Sequence, residues 1–226
     1  MRHVFVDFEM CMVPKKAAPE PHMHFEIIQF GAVMLDESLN FIDEFSEFVK
    51  PQYGELTPEM TELTGITKEM LMGQGGFVKV FSAFLKWLGT DDYKIYSWSV
   101  NDLLQLKNES RIKKFPLKHS KIFENWIDFQ QIFTKAARLP HNPSLGKALE
   151  MMQLEFVGSM HFADADAYNT ARLFCICVST KDFDVELKNG VAELSNWEDV
   201  TDDDNDSGNT ISDSMSAEKL KQLLGF

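Results

Sequence analysis

Basic residues, cysteines and long apolar runs are all scarce in this sequence. Lysine and arginine number 22 against 35 acidic residues, and the resulting net charge of −13 is unusual for a protein that binds nucleic acid. The three cysteines are an odd number, and their spacing fits neither a disulfide framework nor a zinc site. No apolar run approaches the roughly 18 residues of a membrane span, and the N-terminus lacks the layout of a signal peptide. We therefore expect a soluble, cytoplasmic protein that makes no membrane contact.

Apolar residues, by contrast, are abundant. They make up 44% of the chain and include 19 phenylalanines, which is enough for one well-buried domain. The acidic excess is uneven, because residues 191–226 hold nine acids against two lysines. We predict a folded domain over residues 1–188 and an acidic, disordered tail over residues 189–226. The tail ends in SAEKLKQLLGF, whose leucine spacing predicts a short amphipathic helix that could bind a protein partner.

The periodicity of the apolar residues predicts an α/β domain. HVFVDFE, FEIIQFGAVML and FIDEFSEFVKP predict three successive strands, the second buried on both faces and the third alternating, and YKIYSWS predicts a fourth. Caps and 3.6-residue periodicity predict helices between Thr57 and Leu71 and from Asp166 onward in AYNTARLFCICVST. Further helices are predicted in FVKVFSAFLKWL, DLLQLKNESRIKK, WIDFQQIFTKAAR and SLGKALEMMQL.

Two acids stand in the first predicted strand, in the tripeptide DFE. Because side chains alternate across a strand, Asp7 and Glu9 project from one face. Burying two like charges together costs several kcal/mol, which a bound divalent cation can offset; the alternative is a solvated strand end. Asp102 and Asp166 stand near predicted helix starts, where an acid is either a further ligand or an N-cap. His161, five residues before Asp166, is either a base or a structural hydrogen-bonding residue.

Taken in order, DFE, SWSVND and HFADADAYNTARL resemble the three motifs of the DEDDh 3′–5′ exonuclease family. All five of the family's site positions are filled: Asp7, Glu9, Asp102, His161 and Asp166. The connecting segments FEIIQFGAVMLDE and TELTGIT are similar to those of the ERI-type exonucleases, including the bacterial KapD-like members. The resemblance extends from about Arg2 to Val178.

This resemblance implies an RNase H-like fold, with a mixed five-stranded sheet flanked by helices. It also implies a metal-dependent 3′–5′ exonuclease that releases nucleoside 5′-monophosphates from single-stranded RNA or DNA 3′ ends, with RNA favoured by the ERI-type similarity. Two divalent ions, Mg²⁺ or Mn²⁺, would stabilise both ends of an in-line displacement at phosphorus.

The resemblance also assigns roles to individual residues. Asp7 would bridge the two ions, Glu9 and Asp166 would complete the site of the attacking water, and Asp102 would act through water. His161 would take the water's proton, which suits an imidazole that is neutral near pH 7. For the terminal nucleotide, the resemblance implies contacts from the backbone N–H of Met10 and the side chain of Leu63.

One stretch of the sequence is basic, KNESRIKKFPLKHSK, and it is either a nucleic-acid backbone contact or a solvated helix face. Its cations are Lys107, Arg111, Lys113, Lys114, Lys118 and Lys121. Two other functions are compatible with the sequence. One is a DNA-directed, proofreading-type exonuclease, in which the terminal KQLLGF loosely resembles a clamp-binding peptide. The other is a non-catalytic domain that binds nucleic acid or protein.

Overall fold

A computed structural model describes residues 1–116 and 121–179 together with Phe183. The five strands among these residues are β1 (Arg2–Met12), β2 (Phe25–Leu35), β3 (Phe41–Phe48), β4 (Tyr93–Ser97) and β5 (Trp126–Asp128). The first four helices are α1 (Pro58–Thr64), α2 (Lys68–Leu71), α3 (Phe77–Leu88) and α4 (Asn101–Ile112). The other helices that the structure describes are α5 (Lys121–Glu124), α6 (Phe129–Ala136), α7 (Leu145–Met151) and α8 (Ala163–Cys177).

The strands form one mixed sheet in the order β3-β2-β1-β4-β5. β1 pairs antiparallel with β2, and β2 pairs antiparallel with β3. On the other side, β1, β4 and β5 run parallel, joined by helical crossovers. This mixed five-stranded sheet flanked by helices confirms the predicted fold class.

Alternation along β1 divides the apolar core between the two faces of the sheet. Phe5 belongs to a cluster with residues of α6, α7 and α8. Val4, Val6 and Phe8 belong to a second cluster, which contains the buried phenylalanines of α3 and Leu103 and Leu106 of α4. The odd-numbered residues of β1 therefore point toward α8, and this alternation sets the direction in which Asp7 and Glu9 project.

Local sequence signals account for most element boundaries. Thr57 caps α1 with its side chain, Pro58 opens the helix, and Gly65 ends it at a φ of 72°. β2 is buried along almost its whole length, as its apolar composition predicts. The predicted alternation of β3 is wrong, because Phe41 and Ile42 are both exposed on this edge strand.

Two predicted helix starts are also wrong. Residues Trp126–Asp128, which we predicted to be helical, form β5. The helix α6 begins at Phe129, directly after this strand. α8 begins at Ala163, about one turn before the predicted start at Asp166. The acidic tail and the predicted domain end at residue 188 lie outside the described residues. No helix that the structure describes is long and apolar enough to cross a membrane.

Candidate active site

The candidate site begins with the two acids of β1. Asp7 pairs with Gly31 of β2, and Glu9 pairs with Gln29. Directly after Glu9 the register shifts, so that Met10 pairs with Ile27. Such irregularities bend a strand and redirect its side chains. Asp7 and Glu9 are both half-buried on the face that carries α8.

The first turn of α8 rests directly on β2, opposite Asp7. A Cβ atom added at Gly31 would lie only 2.0 Å from the carbonyl carbon of Ala163, so no larger residue fits there without displacing the helix. Gln29 is buried, and its side-chain oxygen accepts a hydrogen bond from the Ala163 N–H at 3.1 Å. Phe162 offers no side-chain cap, so Gln29 satisfies a free N–H group at the helix start.

Asp166 and His161 are joined through the backbone at this helix start. One carboxylate oxygen of Asp166 accepts a hydrogen bond from the His161 N–H at 3.0 Å. His161 is exposed and adopts a φ of 62°, a left-handed conformation that is uncommon for a residue other than glycine. The bond from its N–H to Asp166 helps to hold that conformation. One ligand atom each from Glu9, His161 and Asp166 lies within 4.8 Å of the others.

Asp102 approaches the same strand from α4. It is 6% exposed, and its carboxylate accepts a hydrogen bond at 3.1 Å from the backbone N–H of Phe8, which lies between Asp7 and Glu9. A further buried acid, Asp128, caps α6 by accepting a hydrogen bond from the Gln131 N–H at 3.0 Å. Asp128 ends β5, two strands from β1, and its charge repels that of Asp102.

Burial is the main reason that the pKa of each of the four site acids is raised. Burial, followed by the charges of Asp102, Asp166 and Glu9, holds the pKa of Asp7 well above its usual value. Burial, with repulsion from Asp166 and Asp102, raises the pKa of Glu9 to about 8. Burial also raises the pKa of Asp102 to about 7, although the hydrogen bond from the Phe8 N–H partly lowers it. Burial raises the pKa of Asp166 to about 6, and there the hydrogen bond from the His161 N–H has the lowering effect.

This set of groups fits a divalent cation. Carboxylate oxygens are the ligands that Mg²⁺ and Mn²⁺ prefer, and a bound cation would oppose the burial and repulsion that raise the pKa of these four acids. Within the described ranges, no lysine or arginine forms an ion pair with any of them. The structure therefore brings ligand atoms of Glu9, His161 and Asp166 within reach of one ion. Asp7 and Asp102 are outside that group of three, although Asp7 is near enough to be repelled by the charges of the other acids.

The two predicted nucleotide contacts border this cluster. Met10 is half-buried at the register shift that follows Glu9. Leu63 is 57% exposed on α1, two residues before Gly65. A Cβ atom at Gly65 would lie 3.2 Å from the ring of Phe162, the neighbour of His161, so the TELTGIT segment adjoins the histidine loop.

The basic stretch does not form a continuous surface. Lys113 is 6% exposed and is held between Glu26 and Glu109, while Arg111 pairs with Glu20 at 2.7 Å. Lys107 lies 5.6 Å from the centre of the Phe123 ring. Lys114 and Lys121 are exposed, and Lys118 lies outside the described residues. The prediction that this whole stretch contacts the nucleic-acid backbone is wrong for Lys113, because its charge is neutralised by Glu26 and Glu109.

Sequence reasoning missed Gln29, Gly31 and Asp128. Gln29 and Gly31 were visible as a polar residue and a glycine inside an otherwise apolar buried strand, a pattern that indicates a partner or a close backbone approach. Asp128 followed two apolar residues at a helix start, a signal for a cap. Asp164, the other acid of HFADAD, lies 3.4 Å from the Gln29 amide.

Comparison with known proteins agrees with this geometry. The family model described as "Exonuclease" matches residues 4–174, which include all five site positions. The proteins named ERI1 exoribonuclease 2 from Xenopus laevis and Danio rerio are 30% and 29% identical over 80% and 75% of this chain. The matches cover 30% and 34% of those relatives, so the chain spans about a third of their length.

A solved structure shares the fold. The nuclease domain of 3′hExo, a DEDDh family member bound to rAMP, superposes with a TM-score of 0.69 at 22% identity, covering 79% of this chain and 92% of that one. The family model covers most of the chain and spans all five predicted site residues, and the fold gathers three of them, Glu9, His161 and Asp166, at one point. On these grounds the chain belongs to the DEDDh exonuclease family.

Proposed function

We propose that this protein is a divalent-metal-dependent 3′–5′ exonuclease that releases nucleoside 5′-monophosphates from single-stranded RNA. The observation that carries the proposal is the convergence of Glu9, His161 and Asp166, with ligand atoms within 4.8 Å of one another, beside the half-buried Asp7. A cluster of acids with raised pKa values next to a histidine is suited to hydrolysis of a phosphodiester.

Each residue has a distinct part in this proposal. Asp7, Glu9, Asp102 and Asp166 would hold two divalent ions, Mg²⁺ or Mn²⁺, and the bound ions would supply positive charge opposite the phosphate oxygens. His161 lies beside Glu9 and Asp166 and accepts the proton of the attacking water. The hydrogen bond from its N–H to Asp166 helps to hold the left-handed backbone from which the imidazole projects. Gln29 and Gly31 act indirectly, because they fix the start of α8.

The nucleotide end of the substrate would be bound by residues that border the acids. The Met10 N–H and the exposed Leu63 side chain contact the terminal sugar and base, which favours a free 3′ end over an internal bond. Preference for RNA is supported by the names of the two exoribonuclease relatives and by the rAMP in the 3′hExo structure. A protein partner for the tail and the cytoplasmic location remain predictions from the sequence.

The test is digestion of matched 5′-labelled single-stranded RNA and DNA with Mg²⁺ or Mn²⁺. The wild type should produce a ladder that shortens from the 3′ end, faster on RNA, and Asp7→Ala, His161→Ala and EDTA should each abolish it. Asp164→Asn is the matched control, since Asp164 lies in the same helix turn as Asp166 but contacts Gln29 instead of Glu9. It should retain activity within a few-fold of wild type.

Three results would contradict all or part of the proposal. Loss of the ladder in Asp164→Asn but not in Asp7→Ala would mean that the acids have been assigned wrongly. Absence of a ladder with either metal, in a protein that remains folded, would mean that the site residues are present but have no catalytic activity. A ladder on DNA alone would support the exonuclease activity but contradict the proposed preference for RNA.

A further inference from the structure

A basic cleft lies between the segment after β3, the first turn of α3 and the end of α4, and no part of the proposed chemistry uses it. The cleft has a volume of about 650 Å³, and its charged lining residues are all lysines: Lys50, Lys79, Lys113 and Lys114. The other lining residues are uncharged, so no carboxylate lines this cleft. The chain has a net charge of −13, so a cleft whose charged lining residues are all basic is not expected from the composition.

Three of these lysines are available to bind a ligand. Lys50, Lys79 and Lys114 are exposed and form no ion pair with any residue that the structure describes. Lys113 is different, because it is buried between Glu26 and Glu109, which neutralise it. The three exposed lysines therefore present uncompensated positive charge, and the first turn of α3, at Gly76 to Val78, lies in the same wall.

An aromatic residue accompanies the lysines. Tyr53 lines the cleft and is half-buried, and Gln52 donates a hydrogen bond to its hydroxyl at 2.9 Å, which fixes the ring. A groove that combines lysines with an aromatic ring is typical of proteins that bind single-stranded nucleic acid, because the lysines contact phosphates and the ring stacks on a base. An acidic peptide would use the lysines but would have no need of the ring.

The position of the cleft relates it to the acids of β1. Glu26 accepts hydrogen bonds from the backbone N–H groups of Gln52 and Tyr53, at 2.7 and 2.8 Å, and so forms the base of this wall. Glu26 pairs with Cys11, which is two residues beyond Glu9 on β1. The cleft therefore lies at the same end of the sheet as the site acids, on the face that carries α3 and α4, while the acids face α8. A single strand bound at the acids would pass round this end of the sheet to reach the lysines.

We infer that the cleft formed by Lys50, Lys79, Lys114 and Tyr53 binds the phosphate backbone and a base of the single-stranded substrate upstream of its 3′ end. This inference rests on the proposed function and deepens it. The site acids repel a polyanion, and the lysine cleft supplies the compensating attraction further along the substrate. Substrates long enough to reach the cleft are bound more tightly than those that fill the active site alone.

The test compares binding of labelled single-stranded RNA of two lengths, a dodecamer and a trimer, in an Asp7→Asn background that prevents cleavage. Fluorescence anisotropy is measured over a series of KCl concentrations. The cleft variant is Lys50→Ala/Lys79→Ala. Lys114 is left in place, because its φ of 50° and its position beside Lys113 would complicate the result.

The matched control is Lys86→Ala/Lys147→Ala. Lys86 lies on the same face of α3 as Lys79 but two turns further along, about 10 Å away, which is about one Debye length at 0.1 M salt. Lys147 is exposed on α7 and pairs with Glu150 at 3.0 Å. The control therefore removes the same charge from the protein without changing the cleft.

In the cleft variant, dodecamer affinity should fall about tenfold at low salt, and the slope of log affinity against log salt should become shallower by about 1.4, or about 0.7 per lost phosphate contact. Trimer affinity should not change, and the control variant should match its parent. Tyr53→Ala should weaken dodecamer binding several-fold with no change in the salt slope, because stacking releases no counterions.

Three outcomes would overturn the inference: equal loss in the control variant, equal loss with the trimer, or no loss at all. If the cleft variant instead loses binding of an acidic peptide of residues 197–206 and keeps its RNA affinity, the cleft is a peptide site and the inference is wrong. Failure of the proposed function is separate, since it appears as a wild type that cleaves neither oligomer, while the binding comparison still gives its result.

Discussion

Two groups of buried acids lie at the same end of the sheet and are stabilised in opposite ways. Glu26 and Glu109 are fully buried, yet each is surrounded by donors from the protein itself. Both accept hydrogen bonds from Lys113. Glu26 also accepts three backbone N–H groups, from Gln52, Tyr53 and Gly54, and Glu109 accepts those of Ile27 and the Gln105 amide.

The four acids of the candidate site have far fewer donors. Asp102 accepts the Phe8 N–H and Asp166 the His161 N–H, and in the part of the chain that the structure describes neither has a lysine or arginine partner. Asp7 and Glu9 repel each other and both of these acids. Acids that a protein satisfies from its own donors maintain the fold, whereas acids left short of positive charge are arranged for a cation that comes from outside.

The largest expected effect is on activity, from neutralising one site acid. Asp7→Asn keeps the shape of the side chain but removes a carboxylate that the proposal assigns to metal binding. We expect a loss of about 10³-fold or more in the rate of nucleotide release, on the order of 4 kcal/mol of transition-state stabilisation. In the metal-free protein the same change should stabilise the fold, because it removes repulsion from Glu9, Asp102 and Asp166.

Release assays and thermal melting in EDTA measure the two halves of this prediction. Loss of activity together with a lower melting temperature would show that Asp7 maintains the fold, and the contrast between the two groups of acids would not hold.

The second prediction removes the positive charge of Lys113 from the group formed by Glu26 and Glu109. Lys113→Met keeps a long side chain but leaves Glu26 and Glu109 buried without their positive partner. Breaking a buried ion pair on one side typically costs about 3–5 kcal/mol, so we expect a loss of that order in the free energy of unfolding. Urea denaturation measures it.

Arg111→Ala is the matched control for this second prediction. Arg111 stands two residues earlier on the same helix and pairs with Glu20 at the surface. An exposed pair is worth about 0–1 kcal/mol, so this variant should unfold close to wild type. If Lys113→Met costs no more than Arg111→Ala, the buried group does not depend on its lysine.

The third prediction concerns the contact that brings Asp166 to β1. In Gly31→Ala, the added methyl group would collide with the backbone of Ala163, so α8 must move away from the sheet. We expect a cost of about 1–3 kcal/mol in stability, with weaker metal binding by calorimetry because Asp166 moves relative to Asp7. Gly146→Ala is the control, since a Cβ there meets nothing within 4 Å. Unchanged metal affinity in Gly31→Ala would show that α8 does not position the site.

The sequence predicted the pair on β1 by physical reasoning alone, because strand alternation places Asp7 and Glu9 on one face. Asp102, His161 and Asp166 are more than 90 residues away along the chain, and only their resemblance to known motifs linked them to that pair. No local pattern predicts which helix start will meet which strand, since that depends on the packing of the whole sheet.

Two misassigned helix starts have the same kind of cause. β5 has only three residues, too few for a period to show, and it becomes a strand by pairing with β4. The first turn of α8 begins after Phe162, which cannot cap a helix, and the missing cap is supplied by Gln29 from a distant strand. Tertiary contacts stabilised what the local sequence did not specify. The link from Glu26 to Lys113, 87 residues apart, was equally invisible locally.

The smallest expected effect is a pH dependence from Glu9, an acid of the candidate site. The folded-state pKa of Glu9 is about 8, above its value in an unfolded chain, so the folded protein holds protons that the unfolded chain releases. Stability from this source is complete below about pH 4.5 and is lost as the pH rises toward 8. In EDTA, the melting temperature should therefore fall between about pH 5.5 and pH 8.5, by a few degrees for a change on the order of 1 kcal/mol.

Glu9→Gln isolates this effect from the titration of the rest of the protein. Glutamine does not titrate, so the variant's melting temperature should fall less steeply with pH than that of the wild type, and the two curves should diverge toward pH 8.5. Saturating Mg²⁺ should remove most of the fall in the wild type, because the cation replaces the protons that the site acids lose. Parallel curves for the two proteins in EDTA would mean that Glu9 is already satisfied by the protein, as Glu26 is, and that no external cation is needed to explain its burial.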